Sequence, residues 1–453
     1  MDVTDSECVI VGAGASGEAA ATLLRDRGAD VVMNDLRTRA ELGARGSRLE
    51  RLGVTLALES HEPSIFADAD LVVVSPGVPQ LDALTEVESR GVEVIGEVEL
   101  AARFLRAPLI AITGTNGKST VTTLVGDMLS RSAFPTFVGG NLGVALCEAV
   151  GSPADIEEGR VVVELSSFQL ERVRRLKPWV SAILNVSADH LDRYPSIGAY
   201  ARTKARVFDN QAEGDHAVLP ADDPISTDLR PDNGSAVHEF AGAGGEVRVE
   251  GDVIVDTVTG WRLPAAELLL RGRHNLDNAC AAVLAARLAG ATGDAMAESL
   301  RTVAGLPHRA ELVRELDGVT YVDDSKATNV GAAIAALDGM ASPRRLAVLI
   351  AGGVDKGGSY VPLAQKVFEL GRAVVLLGEA APLLEAAFAG LGLPVEQVET
   401  MAEAVAAARR LARSGDVVLL APACSSYDMF QSYAHRGDAF QDAVRALPEG
   451  GAQ

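Results

Sequence analysis

Short apolar runs alternate with amphipathic segments along the whole chain. The runs 8–11, 109–112 and 417–420 have the length and apolar content of buried strands, and each ends in a turn of glycine or polar residues. Helical periodicity follows such turns, and Ala19, Ala20 and Leu23 would share one helical face. This alternation of strand, turn and helix predicts an α/β protein built on parallel sheets.

The chain is long enough for several domains. Its 453 residues correspond to about three domains at roughly 150 residues each. We predict a Rossmann-like domain over 1–106, a central P-loop ATPase-like domain with a parallel sheet over 107–307, and a second Rossmann-like domain over 308–453. Within the central domain, residues 139–143 are expected to form a loop. The acidic segment 209–270 predicts only a small β-hairpin, and we assign it no chemistry.

Charge and cysteine content narrow the class of partner and compartment. The chain has 41 basic and 62 acidic residues and a net charge of −21, which argues against nucleic acid or an anionic membrane as a partner. The four cysteines form no close pair, so a reducing compartment is expected. The acidic N-terminus does not resemble a secretory signal, and no apolar run reaches membrane-spanning length. We expect a soluble, cytoplasmic monomer.

The strand at 109–112 leads into a phosphate-binding loop. Two glycines allow the backbone to approach a polyanion, a lysine adds charge, and a serine hydroxyl can reach Mg²⁺. We predict ATP binding by Gly114, Thr115, Asn116, Gly117, Lys118, Ser119 and Thr120. Ile112 stands where the general Walker pattern has glycine, so the loop is a subtype. A glycine-rich turn with a surface lysine is the alternative.

A second glycine loop lies near the N-terminus. Gly12, Gly14 and Gly17 follow a strand, and Asp35 ends the next strand, which is the dinucleotide-binding fingerprint. Taken alone, this pattern suggests an NAD(P)-dependent oxidoreductase. However, the pattern recognises any diphosphate at a helix N-terminus, and an oxidoreductase would leave the loop at Lys118 unexplained.

Other polar residues stand at strand ends and on helix faces. Glu164 closes an apolar run, which puts a carboxylate at the functional edge of a sheet, although it could instead cap the next helix. Lys204 lies one turn after Tyr200, and its alternative role is to pack its stem along the helix with its head in solvent. Asn278 lies near the start of a helix predicted to begin at Leu276, where it could be a cap.

Eight motifs together carry a family resemblance. They are T-G-T-N-G-K-S-T, E-L-S-S-F-Q-L-E, D-H-L-D-R-Y, H-N-L-D-N, L-P-H-R, D-D-S-K-A-T-N, G-G-V-D-K and A-P-A-C-S-S, in this order. With them the chain resembles the Mur ligases, the cytoplasmic ATP-dependent amino-acid ligases of peptidoglycan synthesis, which serves cell shape and division. The second and sixth motifs are most similar to the D-glutamate-adding branch. Another muramyl ligase, a folylpolyglutamate synthase or a regulatory protein without catalysis remain alternatives.

The resemblance implies an acyl-phosphate reaction. ATP would activate the carboxylate of UDP-N-acetylmuramoyl-L-alanine, and the amine of D-glutamate would attack it. The implied catalytic residues are Lys118, Glu164, His190, Lys204 and Lys326. Two Mg²⁺ ions would be held by Ser119, Glu164, His190 and Lys204, with Lys204 converted by CO₂ to an anionic carbamate.

The resemblance also implies the remaining contacts of each substrate. ATP would reach Asn278, Arg309 and Asp324, and D-glutamate would reach Thr328, Lys356, Ser426 and Tyr433, the last where the family commonly has phenylalanine. The UDP-sugar would be received by Ser16, Asp35, Arg37, Ser75, Asn141 and His190. Because ligands come from all three domains, we expect an open form that closes on ATP.

Overall fold

A computed structural model describes residues 1–270, 272–342 and 344–449. Its N-terminal part contains β1 (Glu7–Val11), α1 (Ala15–Asp26), β2 (Asp30–Asp35), α2 (Arg39–Arg51), β3 (Thr55–Leu58), β4 (Leu71–Val74), α3 (Asp82–Ser89), β5 (Glu93–Gly96) and α4 (Glu97–Ala102). The sheet is parallel, with the order β3-β2-β1-β4-β5. Its connections change direction between β1 and β4, so the carboxyl ends of these strands frame a crevice.

The central part is built on the largest sheet, in the order β14-β13-β12-β11-β10-β9-β6-β8-β7. Helix α9 packs against α5, and its alanines are buried, so small side chains let the helix lie close to its neighbours. The elements are β6 (Leu109–Thr113), α5 (Lys118–Arg131), β7 (Thr136–Gly140), β8 (Arg160–Glu164), α6 (Ser167–Leu170), β9 (Val180–Ile183), α7 (Ile197–Ala205), β10 (His216–Pro220), α8 (Pro224–Thr227), β11 (Ala236–Phe240), β12 (Val247–Glu250), β13 (Val253–Asp256), β14 (Arg262–Pro264), α9 (Arg273–Leu288) and α10 (Gly293–Thr302).

The C-terminal part has a third sheet, in the order β15-β16-β20-β17-β18-β19. Two apolar strands at its centre, β17 and β20, are fully buried between helices, as expected of a doubly wound sheet. The elements are β15 (Glu311–Leu316), β16 (Val319–Asp323), α11 (Val330–Met340), β17 (Ala347–Gly352), α12 (Val361–Leu370), β18 (Gly371–Leu377), α13 (Ala381–Phe388), β19 (Val395–Gln397), α14 (Met401–Leu411), β20 (Val417–Leu420) and α15 (Tyr433–Arg445).

The predicted α/β class with three sheets is confirmed, and the sheets depart from parallel only at their edges. The predicted hairpin is present as antiparallel β12 and β13, which β14 extends, and β15 is antiparallel to β16. The boundaries 1–106, 107–307 and 308–453 stay predictions, and residues 450–453 lie outside the described part. Across the described ranges, no helix has both the length and the apolar character needed to cross a membrane.

Two local predictions were wrong. Residues 139–143 were expected to form a loop, but Gly139 and Gly140 end β7, where they pair in parallel with Val163 and Glu164 of β8. Backbone pairing with β8 therefore outweighs the weak strand propensity of glycine. The helix expected to begin at Leu276 begins three residues earlier, at Arg273, directly after Gly272.

Candidate active site

One cavity of about 850 Å³ lies where the carboxyl ends of the central and C-terminal sheets face each other. Most of the residues predicted from the sequence line it. These are Thr115, Asn116, Gly117, Lys118, Ser119, Thr120, Asn141, Glu164, His190, Lys204, Asn278, Arg309, Asp324, Lys326, Thr328, Lys356, Ser426 and Tyr433. The fold therefore gathers residues from the phosphate loop to α15 around a single space large enough for a nucleotide and a second ligand.

The phosphate loop joins β6 to α5 with the geometry that its glycines permit. Gly117 has a φ of 83°, and a Cβ there would lie 2.2 Å from the side-chain oxygen of Asn278. Only glycine fits this turn without displacing its neighbour. Lys118 donates from Nζ to the carbonyl oxygens of Gly114 and Thr115, at 3.0 and 2.8 Å. Burial removes solvent from the Lys118 ammonium and thereby lowers its pKa, and an anion bound beside it would favour the charged form.

Lys204 reaches the same carbonyl from α7. Its Nζ donates to the Gly114 oxygen at 2.8 Å and lies 4.4 Å from the ring centre of Tyr200. The side chain is buried, so the alternative in which its head reaches solvent is wrong. Burial, and then the charge of Lys118, lower the pKa of Lys204 well below its ordinary value. Within the described residues, no carboxylate forms an ion pair with its ammonium.

Glu164 ends β8 with its side chain in the cavity wall. Asn141 donates from Nδ2 to Glu164 Oε1 at 2.6 Å, whereas Oε2 is buried and accepts no hydrogen bond in the described part of the chain. The alternative in which Glu164 caps the next helix is wrong, because Ser166 caps α6 with both bonds of a capping box. A buried carboxylate oxygen without a partner is the atom that a cation would satisfy.

His190 and Asp189 form the loop after β9. His190 has a φ of 55° and lies with its ring 4.7 Å from that of Phe168. Burial lowers the pKa of His190, which favours the neutral imidazole that a metal ion requires. Its Nε2 is 3.7 Å from the carboxylate of Asp189.

The C-terminal sheet contributes cations to the cavity. Lys326 places Nζ 3.8 Å from the ring centre of Tyr433, and burial, followed by the charge of Arg309, lowers the pKa of Lys326 to about 8. Arg309 donates from Nη2 to Ser119 Oγ at 3.0 Å and so reaches the phosphate loop across the domain boundary. Burial raises the pKa of Asp324, close to Arg309, to about 7.

Lys356 lies at the carboxyl end of β17 and faces the central domain. Its Nζ is 3.2 Å from Asp189 Oδ1 and 3.5 Å from Thr328 Oγ1. The ion pair with Asp189 is largely buried on both sides. Two residues predicted to bind D-glutamate, Lys356 and Thr328, are thus already in contact, and Lys356 also contacts a carboxylate of the central domain.

Five predicted residues do not line the large cavity. Gly114 lies in the phosphate loop, and the other four lie in or beside the N-terminal glycine loop: Ser16, Asp35, Arg37 and Ser75. Asp35 accepts the Ala13 N–H at 2.7 Å and pairs with Arg37 through both oxygens. These bonds outweigh the opposing effect of burial and lower the pKa of Asp35 to about 2. Ser75 donates to the Gly12 carbonyl at 2.8 Å and so ties β4 to the loop.

Sequence reasoning missed several residues that the fold brings to the cavity. Asp189 and Asn329 were given no role, and no chemistry was assigned to 209–270, yet both residues line the cavity, as do Pro220, Asp222, Asp223, Phe240 and Gly242 from that segment. The rule applied to Glu164, that polar residues ending a buried strand lie at the functional edge, would have indicated Asp222 and Asp223 after β10.

Comparisons with known proteins cover the whole chain. Residues 6–96 match the Mur ligase MurD-like N-terminal domain, 112–286 the Mur ligase middle domain, and 308–424 the Mur ligase glutamate ligase domain. The UDP-N-acetylmuramoylalanine–D-glutamate ligase of Myxococcus xanthus is 44% identical over 99% of this chain and 100% of its own length. The enzyme of the same name from Geotalea daltonii is 42% identical over 99% of both chains.

Solved structures show the same fold at low sequence identity. The UDP-N-acetylmuramate–alanine ligase of Thermotoga maritima is 19% identical, with a TM-score of 0.61 over 97% of this chain and 99% of its own. The folylpolyglutamate synthase of Mycobacterium tuberculosis is 17% identical, with a TM-score of 0.56 over 80% of this chain and 94% of its own. At these identities the likeness concerns the fold alone.

Proposed function

Because this chain belongs to the Mur ligase family, we propose that it is the ATP-dependent ligase that joins D-glutamate to UDP-N-acetylmuramoyl-L-alanine in peptidoglycan precursor synthesis. Full-length relatives named for this activity support the choice within the family. The amide would form through an acyl phosphate of the alanine carboxylate, with ADP and phosphate as the other products.

The observation that carries the proposal is the shared cavity. It holds a phosphate loop with Lys118, a buried carboxylate at Glu164, and cations from the C-terminal domain at Lys326 and Lys356. Joining a carboxylate to an amine with ATP requires two anions, the γ-phosphate and the carboxylate, to approach each other. Cations contributed from both sides of one space are suited to that task.

The position of each residue in the cavity indicates its proposed role. Lys118 and the N-terminus of α5 would bind the outer phosphates, and Arg309, which touches Ser119, would reach the γ-phosphate. Asn278, held against Gly117, would contact the adenine, and Asp324 the ribose. Lys326 would bridge the substrate carboxylate and the transferred phosphate, since it lies in the cavity between the two domains.

The residues present fit two Mg²⁺ ions. Glu164 offers an oxygen without a partner, Ser119 a hydroxyl at the start of α5, and His190 an imidazole that its surroundings keep neutral. Bound Mg²⁺ would neutralise the negative charge that gathers on the phosphate oxygens. Asn141 orients the Glu164 carboxylate and would also contact the UDP-sugar, as would His190.

We also propose that Lys204 is carbamylated. A buried amine beside the Lys118 ammonium has no ion-pair partner among the described residues, and carbamylation would exchange a second positive charge for a negative one. The uncharged Nζ would form a bond to the carbon of CO₂, one C–O π bond would open, and one proton would be released. The product would offer an oxygen ligand in place of a repelling cation.

The carbamate has a direct test. Protein equilibrated with ¹³CO₂ should give a carbamate ¹³C resonance that Lys204→Ala removes and Lys177→Ala, at an exposed lysine, keeps. Lys204→Ala should also lose turnover and regain part of it with added short-chain carboxylates. A fully active Lys204→Ala enzyme would remove the carbamate from the proposal.

The other two substrates would occupy opposite ends of the site. The uridine diphosphate would lie on the N-terminal glycine loop near Ser16, Arg37 and Ser75, with Asp35 orienting Arg37. D-glutamate would lie at the carboxyl end of the C-terminal sheet, with its carboxylates near Thr328, Lys356, Ser426 and Tyr433. We also propose that the protein acts as a monomer, and the substrates of this reaction make the cytoplasm the expected compartment.

Phosphate release tests the proposed activity. The protein would be assayed with ATP, Mg²⁺ and UDP-N-acetylmuramoyl-L-alanine against a panel of amino acids, with Lys118→Ala as the inactive control. Release with D-glutamate alone is expected. Release with another amino acid would keep the ligase chemistry and overturn the specificity, and release with none would overturn the function.

A further inference from the structure

Asp189 is a buried carboxylate that the proposed reaction has not yet used. It lies between the two domains, where Oδ1 accepts from the His190 N–H at 3.0 Å and faces Lys356 Nζ at 3.2 Å. Its other oxygen accepts from Asn329 Nδ2 at 3.1 Å. The side chain also lines the cavity, so a ligand can reach a carboxylate that is already held by donors from both sides.

The charge of the incoming amino acid makes this carboxylate significant. D-glutamate carries two carboxylates and one ammonium group, and the residues assigned to it in this chain are one lysine and three side chains with hydroxyl groups. A hydroxyl can accept a hydrogen bond from an ammonium group, but none of the four residues offers the negative charge of a carboxylate. An ammonium buried in this cavity without an anion would lose much of its solvation with nothing in return.

The other acidic residues that line the cavity have different proposed roles. Glu164 is bonded to Asn141 and belongs to the proposed metal site, and Asp324 lies with Arg309 at the proposed ribose contact. Three more belong to the elements around Asn278, at the proposed adenine contact: Asp222, Asp223 and Asp277. Among the described residues that line the cavity, Asp189 is the carboxylate that contacts a residue assigned to D-glutamate.

We propose that Asp189 binds the amino group of the incoming D-glutamate, after Lys356 turns from Asp189 to a carboxylate of the amino acid. Before D-glutamate binds, Lys356 and Asp189 neutralise each other. When it binds, its carboxylate takes the place of Asp189 beside Lys356, and its amino group takes the place of Lys356 beside Asp189. Asn329 and the His190 backbone keep the carboxylate oriented during the exchange. This inference rests on the proposed function, since it assigns a contact within the D-glutamate site.

The test compares D-glutamate with glutarate, which has both carboxylates and no amino group. Binding of each is measured by calorimetry to protein holding UDP-N-acetylmuramoyl-L-alanine and a non-hydrolysable ATP analogue. Asp189→Asn should weaken the binding of D-glutamate about 10- to 100-fold, because a charge-assisted hydrogen bond is lost. The same variant should bind glutarate as well as or better than the wild type, because no unpaired carboxylate remains when Lys356 turns away.

Two further variants keep the outcome interpretable. Asp192→Asn, an exposed aspartate of the same loop, should leave both affinities within about 2-fold, as expected for a surface substitution. Asp189→Glu retains the charge and should keep part of the preference for D-glutamate. The proposal would be overturned if Asp189→Asn weakened the binding of D-glutamate and glutarate equally, or if it weakened the binding of neither. Failure of the wild-type protein to bind D-glutamate would instead overturn the proposed function.

Discussion

The contact between Lys326 and Tyr433 concerns a single pair of side chains. Lys326 Nζ lies 3.8 Å from the ring centre, above the face of the aromatic ring, where the negative quadrupole attracts a cation. Such a contact is worth about 0.5–2 kcal/mol, depending on desolvation. The ring face is common to tyrosine and phenylalanine, so the hydroxyl of Tyr433 has no part in this interaction.

We therefore predict that Tyr433→Phe and Tyr433→Ala behave differently. The phenylalanine variant should keep kcat/KM for D-glutamate within about 3-fold, and the alanine variant should lose about 10-fold, because Lys326 is no longer held by the ring. Steady-state phosphate release with D-glutamate as the varied substrate measures both. An equal loss in the two variants would show that the tyrosine hydroxyl touches a substrate.

The residues predicted from the sequence are recognisable from their neighbours along the chain. The residues that were missed depend on partners far away in the sequence. Lys118 follows a glycine turn, and Glu164 ends an apolar run, so a window of about ten residues indicates both. Asp189 acquires its role from Lys356, 167 residues later, and from Asn329, 140 residues later. No local pattern of residues can contain such a pairing.

At the scale of elements, Arg436 of α15 holds together the loops that end three strands of the C-terminal sheet. Its side chain is buried, and burial lowers the pKa of Arg436 to about 10. Its guanidinium donates to the carbonyl oxygens of Ser325, Gly352, Cys424 and Ser425 and to Ser325 Oγ. A planar group with five donors suits this task, whereas a lysine offers three donors at one point.

Arg436→Lys should consequently disturb the D-glutamate site more than the ATP site. We expect the KM for D-glutamate to rise at least about 10-fold and the free energy of unfolding to fall by about 2–4 kcal/mol, because buried carbonyls lose donors. Substrate titrations and denaturant unfolding measure the two effects. Arg410→Lys, at an exposed arginine, is the control and should change neither. An unchanged KM in a destabilised Arg436→Lys protein would confine the residue to a structural role.

Helix α4 meets the central domain through a buried acid. Glu97 Oε1 accepts the Cys147 N–H at 2.6 Å, and Oε2 is buried without a partner in the described chain. Burial raises the pKa of Glu97 from 4.5 to about 7. A raised pKa means that the folded state binds the proton more tightly than the unfolded state, so this group's contribution to stability is full below about pH 4.5 and is lost as the pH rises to about 7.

Comparison with Glu97→Gln isolates this dependence, because glutamine does not titrate. As the pH rises from about 4.5 to about 7, the wild type should lose on the order of 3 kcal/mol of unfolding free energy relative to Glu97→Gln, and the difference should then level off. Denaturant unfolding at several pH values measures it. The prediction would be contradicted if the two proteins differed in unfolding free energy by the same amount at every pH.

For the whole molecule, the sequence predicted the parallel centres of the sheets better than their edges. Continuous apolar runs such as β17 and β20 are buried on both faces and are recognisable alone. Edge strand β15 is only partly buried and carries charged residues, so its pattern is hard to distinguish from that of a loop. The arrangement of the domains depends on contacts between distant surfaces, which periodicity does not encode.

Polar contacts join the central and C-terminal domains across the cavity. They include Arg309 with Ser119, Asn329 with Asn116 and with Asp189, and Lys356 with Asp189. Each hydrogen bond or ion pair of this kind contributes only about 0.5–1.5 kcal/mol net, and every one of them uses groups that the substrates would claim. We interpret the arrangement in this structure as a closed one, which substrates in the cavity would stabilise.

We predict that the protein opens without substrates and closes around them. In solution scattering, the ligand-free protein should have a larger radius of gyration than that calculated from this structure. A non-hydrolysable ATP analogue with UDP-N-acetylmuramoyl-L-alanine should bring the curve to the calculated one, because Lys118, Arg309 and Lys326 then bind one set of anions from both sides. The Lys118→Ala variant, which should bind the nucleotide more weakly, should stay extended under the same conditions. Identical curves with and without ligands would mean that these polar contacts alone keep the domains together.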